Sequence, residues 1–208
     1  MRIVIEIGAN NGDDTARLVQ DADVMYACEP DPALINVLLS RFVTQPKLKI
    51  WPYAIDLNEG IKELHIMEHE RGINSLYPLH PNLLQTPLQK HWQYQRGMTH
   101  KISIETKRLD TLIKQNNIPH IDYMWIDAQG NDLIVLKSMG DYINILRAGR
   151  LECTYKVPIY EGVDNSYESV VQFLEQHGFN HAIEYVHQDE SEVDVKFWRS
   201  ENDGINPQ

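Results

Sequence analysis

The sequence predicts an α/β fold with a mostly parallel sheet, helices on both faces and an antiparallel C-terminal hairpin. Three observations predict it. Short β-branched apolar runs alternate with segments of helical period from the first residues onward. The first run ends in a glycine loop that opens a helix. The last two runs flank the polar turn 188–191, as the arms of a hairpin do. The 208 residues suit one core, and no repeat, low-complexity run or linker divides them. One domain over 1–208 is therefore expected.

The elements follow in order. Residues 2–7 form a buried parallel strand, and 13–20 a helix whose acidic start complements its dipole. A second strand spans 24–29. Asp31 and Pro32 then mark a helix start, as N-cap and first helical residue, with Leu34, Leu38 and Phe42 at helical spacing. A third strand covers 48–55, and shorter ones 61–67 and 101–107. Between these lies 72–97, rich in Pro, aromatics and His. Residues 108–116 read as a helix, 121–127 as a strongly apolar strand, 131–139 as the helix after it, and 149–155 as another strand. Tyr167, Val170, Val171 and Leu174 share one face of a helix over 166–177, with Gly178 at its end. Strands at 181–186 and 192–198 complete the chain.

Composition narrows the function. Formal net charge is −11, and the 19 Lys and Arg are scattered rather than gathered in a stripe, so no nucleic-acid partner is expected. No apolar run reaches the ~20 residues of a bilayer span, and no signal peptide precedes the first strand. A cytoplasmic location is the expectation. Cys28 and Cys153 fall in strands and read as buried thiols. No CxxC or HExxH spacing marks a metal site.

Four segments carry chemistry. In Glu6-Ile7-Gly8-Ala9-Asn10-Asn11-Gly12-Asp13 the glycines are spaced G-x-x-x-G, not GxGxxG. That loop suits a nucleoside with an amino-acid tail better than a pyrophosphate. Glu29 ends the second strand about twenty residues later, where a carboxylate can accept from both ribose hydroxyls. Asp127, in Ile126-Asp127-Ala128-Gln129-Gly130-Asn131-Asp132, ends a central strand at the ligand crevice of such sheets. It either caps its loop or works near the reacting group as base, orienter or metal ligand. Glu152 lies inside an apolar strand and needs a partner, either a cation in the sheet or a substrate hydroxyl.

These residues, taken together, resemble the FkbM-type methyltransferases. The matches are EIGANNGDDT at 6–15, CEPDP at 28–32, the Ala54 segment, Ser75-Leu76 and Arg108-Leu109-Asp110-Thr111-Leu112. They continue with IDAQGNDLIVLKS at 126–138 and with Glu152 followed by PIYEG. Asp132 and Ser138 depart from the family's usual Glu and Gly. The resemblance covers about residues 3–180 and implies a seven-stranded Rossmann-like class I fold, with S-adenosylmethionine across the carboxyl ends of the strands.

Carried over by position, Glu6, Gly8, Ala9, Asn10, Gly12 and Thr15 belong to the cofactor-binding loop. Glu29, Pro30 and Asp31 hold the ribose side. Tyr53, Ala54 and Ser75 border the adenine, and Asp127 and Gln129 lie near the methionine and methyl group. The resemblance further implies O-methylation of a hydroxyl on a carbohydrate, glycolipid or other small glycosylated acceptor, a deoxysugar such as rhamnose being the preferred one. Asp127 is the first candidate for the base, with His80, His65 and His69 as alternatives. A divalent metal such as magnesium is left open. Tyr77, His80, His91, Trp92 and Tyr94, on the insertion 56–105, are expected as an acceptor wall, with Glu152 also on the substrate side. Since the first strand starts almost at Met1, cover for the site is expected from that insertion, the hairpin or a second subunit. The chain is accordingly expected to form a homodimer or to be part of a larger glycan-modifying protein. The competing expectations are an NAD-dependent oxidoreductase and a catalytically silent nucleoside-binding module.

Overall fold

The computed structural model describes residues 1–67, 71–81, 98–188 and 190–200, with Met98 and Thr99 as backbone only. His69, His91, Trp92 and Tyr94 lie outside the described residues. The strands are β1 (Ile3–Ile7), β2 (Val24–Cys28), β3 (Leu48–Trp51), β4 (Ala54–Ile55), β5 (Gly60–Met67) and β6 (Met98–Lys107), then β7 (Tyr123–Ile126), β8 (Ala148–Thr154), β9 (Asn180–Val186) and β10 (Glu192–Trp198). The helices are α1 (Asp13–Asp21), α2 (Pro32–Arg41), α3 (Leu109–Gln115), α4 (Asp132–Lys137) and α5 (Tyr167–Gln176).

Seven strands form the main sheet in the order β3-β2-β1-β7-β8-β10-β9. The first five are parallel, and β10 runs antiparallel between β8 and β9. The expected mostly parallel sheet with a closing hairpin is therefore present. Period-2 alternation sorts its faces. Ile3, Ile5 and Ile7 pack beneath Leu109 and Ile113 of α3, Leu133 of α4 and Val170 of α5. On the other face Val4 and Met25 pack against Leu18 and Val19 of α1, and Ala27 against Leu38 of α2. Cys28 and Cys153 are buried free thiols.

One expectation is corrected. The third strand does not run through to Ile55. It stops at Trp51, because Pro52 offers no N–H to the ladder and turns the chain. Ala54–Ile55 instead pairs in parallel with Thr106 and Lys107 in a separate three-stranded sheet, order β4-β6-β5. A 3₁₀ stretch over Gly140–Ile145, which has no counterpart in the sequence reading, joins α4 to β8. Among the described residues no helix is long and apolar enough to cross a membrane.

Candidate functional site

The carboxyl ends of β1, β2 and β7 meet the turn into β4 around a cavity of about 600 Å³. Gly8, Asn10, Glu29, Pro30 and Tyr53 line one side, and Ala54, Asp127, Gln129 and Asn131 the other. Gly8 has φ +88°, and a Cβ there would sit 1.9 Å from the Asp127 carbonyl oxygen. Only glycine permits the β1 loop to cross so close to the end of β7.

The loop amides are already engaged. Gly8 and Ala9 donate to the Cys28 carbonyl at 2.9 and 3.0 Å, and Asn10 donates to Glu29 Oε2 at 2.8 Å. Gly12 and Asp13 donate to Ala9 O and Asn11 Oδ1. No row of loop amides is left for a pyrophosphate, and Asp13 and Asp14 at the start of α1 would repel one. Glu29, 5% exposed, also accepts from the Asp31 amide at 2.8 Å. Burial pushes its pKa up to about 7 against the pull of these two amides.

Not every predicted residue reaches the cavity wall. Ala9 packs with Ala27 and Leu38, and a Cβ on Gly12 would meet the Phe42 ring at 2.6 Å, so both serve the contact with α2. Glu6 and Thr15 lie beneath the loop, where the Thr15 hydroxyl donates to Glu6. Burial raises the Glu6 pKa to about 8. Asp31 caps α2 through Ala33 N and receives Arg71 and Asn74 of the insertion on its other oxygen. The Ser75 hydroxyl donates to the Gln129 carbonyl at 2.7 Å, leaving its neighbours Asn74 and Leu76 to face the cavity. Tyr77 donates to Asn131 and packs near Ile159 and Tyr160, away from the wall. His80 donates its amide to Ile159 O, and His65 is buried on β5; neither lines the cavity.

Asp127 is the junction. It lines the first cavity and also an open groove of about 990 Å³ over the face of β7, β8, β10 and β9 that carries Trp125. Burial and the charges of Glu152 and Asp132 push its pKa well up, while Gln129 donates to it at 2.5 Å. The Gln129 amide oxygen accepts from Tyr160 at 2.6 Å. The partner that Glu152 requires comes from the protein. His187 Nε2 lies 3.1 Å from one carboxylate oxygen, and Gln129 reaches the other at 3.4 Å.

Glu152, His187 and Asp194 each bring one potential ligand atom within 4.8 Å of the others. Arg150 already holds the Asp194 carboxylate, so a divalent ion would compete there with a guanidinium. Paired in this way with Arg150 and with one another, these side chains do not fit a metal. The sequence reading missed Arg150, Asp194 and His187. Their signal was the period-2 recurrence of Arg150 with Glu152, and of Glu192 with Asp194, inside otherwise apolar strands.

Comparison with known proteins gives consistent matches. The family model described as the methyltransferase FkbM domain matches residues 6–180. The chain is 26% identical over 137 residues to the 2-O-methyltransferase NoeI of Sinorhizobium fredii, covering 64% of this chain and 56% of that one. Methyltransferase FkbM from Methylobacillus flagellatus superposes over 95% of this chain and 43% of its own, with TM-score 0.57 at 11% identity. The chain thus spans about half the length of these two relatives. A putative methyltransferase from Streptococcus mutans, solved in complex with SAH, superposes over 96% of this chain and 89% of its own, with TM-score 0.53 and 11% identity. At these identities the structural likeness establishes the fold.

Proposed function

This chain belongs to the methyltransferase FkbM domain family, and on that premise we propose that it is an S-adenosylmethionine-dependent O-methyltransferase acting on a carbohydrate hydroxyl. The observation that carries the reading is the cavity floor. Its loop amides are spent on Cys28 O and Glu29, and its charged groups are the carboxylates of Glu29 and Asp127 with one cation, Arg71, which is itself held by Asp31. Such a floor disfavours a dinucleotide and suits a cationic nucleoside.

The residues present fit the cofactor. Glu29, fixed by two backbone amides, would accept from the ribose hydroxyls, and Tyr53, Ala54 and Ile55 would border the base. Gly8, Asn10 and Gln129 would face the methionine. Bound there, S-adenosylmethionine supplies an electrophilic methyl group. The protein must align the acceptor oxygen and remove its proton. Asp127 stands on the wall common to both cavities, and its raised pKa makes it a stronger base than an exposed carboxylate. We assign it that role. O-methylation is supported by the name of the NoeI relative, and the carbohydrate acceptor by the polar, aromatic walls of the groove.

Titration calorimetry with S-adenosylmethionine and with NAD tests the cofactor. Binding of NAD alone would overturn the reading. Mass spectrometry of glycans incubated with protein and cofactor tests the reaction, expected as a gain of one methyl group on a hydroxyl.

A further inference from the structure

The groove that meets the cofactor cavity at Asp127 has its own chemistry. On its floor Arg150 lies 4.3 Å from the centroid of the Trp125 ring. It is fixed there by Asp194 and by Glu184 at 3.4 Å. At the rim Tyr185 is 51% exposed, and its ring centre lies 5.3 Å from that of His187. Hydrogen-bond donors and acceptors from β8, β9 and β10 thus lie side by side in one groove, beside an exposed aromatic ring. A sugar matches this, since every hydroxyl both donates and accepts while the ring face is apolar. Charge narrows the match further. Asp14, Asp127, Glu152, Glu184 and Asp194 face the groove against Arg150 and His187, so anions are repelled.

We infer that this groove, and not only the insertion, receives the acceptor, and that it selects an uncharged polyhydroxylated ring. The inference rests on the proposed methyltransferase reading and deepens it. A transferred group requires donor and acceptor atoms within roughly 3–3.5 Å, which favours a site for the acceptor in a cavity that borders the cofactor's. Among the cavities described, this groove does so, at Asp127.

The test is chemical-shift mapping on ¹⁵N-labelled protein saturated with S-adenosylhomocysteine. Methyl α-L-rhamnopyranoside, methyl α-L-fucopyranoside and methyl β-D-glucopyranoside are the neutral probes, and methyl α-D-galactopyranosiduronate is the anionic one. At least one neutral glycoside should shift the amides of Arg150, Glu184, Tyr185 and His187, while the uronate leaves them unmoved. Tyr185→Ala should weaken that glycoside about tenfold or more, with S-adenosylhomocysteine affinity held within about twofold. Glu184→Lys should admit the uronate. No shift with any neutral glycoside, shifts confined to other surfaces, or equal uronate binding would overturn the inference and leave the cofactor reading standing. Failure of S-adenosylhomocysteine to bind the wild-type protein would overturn both.

Discussion

The α-carbon of Gly8 rests against the backbone carbonyl of Asp127, so that the loop after β1 and the end of β7 form one wall. A methyl group at Gly8 would sit 1.9 Å from that oxygen, at a φ of +88°. Gly8→Ala is therefore expected to destabilise the fold by about 3 kcal/mol or more, from strain plus backbone displacement. Urea unfolding reads the stability and calorimetry the loss of cofactor binding. A fully stable, binding-competent variant would show that the loop has room to move.

As the proposed acceptor of the ribose hydroxyls, Glu29 should make cofactor affinity depend on pH. Its pKa of about 7 in the free protein means that it is mostly protonated at pH 6. Two donating ribose hydroxyls favour the carboxylate, so binding must release that proton. Affinity should be about tenfold weaker at pH 6 than at pH 8, and flat above. Glu29→Gln should remove the pH dependence, and Glu29→Ala should cost roughly 1–3 kcal/mol of binding. Calorimetry in buffers of different ionisation enthalpy counts the proton.

Asp31 and Arg71 form an unequal pair. The Asp31 side chain is 3% exposed and caps α2, whereas Arg71 is 36% exposed. Asp31→Ala should cost about 1–2 kcal/mol through the lost cap. Arg71→Ala should cost under ~1 kcal/mol, because a half-exposed ion pair is screened. Thermal melts of both variants rank them, and equal losses would mean that the ion pair outweighs the cap.

Asp127→Asn keeps the shape but removes the proposed base. Turnover should fall about 10²- to 10³-fold, with cofactor affinity changed far less. A loss of affinity as large as the loss of turnover would make Asp127 a binding residue.

Buried carboxyls also set the stability profile. Burial pushes the pKa values of Glu6, Glu29 and Asp132 up to about 8, 7 and 7, well above the ordinary carboxylate range. Each binds its proton more tightly when folded. Their stabilisation is complete below about pH 4 and is lost as pH rises through 8. The melting temperature of the ligand-free protein should therefore decline between pH 5 and 8, and Glu6→Gln should flatten that decline.

Much of the site was legible because its signals are local. Gly8, Glu29 and Asp127 each end a strand, and a strand end followed by a helix start locates a residue at the crevice without knowledge of its neighbours. Ala9, Gly12 and Asp31 sit in the same motifs yet pack against α2 or the insertion. Motif membership says that a loop is near a ligand, and it does not say which way each side chain turns. The break at Pro52 shows the same limit. An apolar run continues to Ile55, but the missing N–H hands Ala54–Ile55 to another sheet.

By itself, then, the sequence determined the alternation of strands and helices, the reversed last strand and the glycine loop with its acidic companion. These depend on periodicity and backbone chemistry within a few residues. Only the tertiary structure decided that Glu152 would meet His187, that Arg150 would hold Asp194, and that Asp127 would border two cavities. Those pairs arise from strand order and register across β7, β8, β10 and β9, and a linear pattern carries no record of which strand lies beside which.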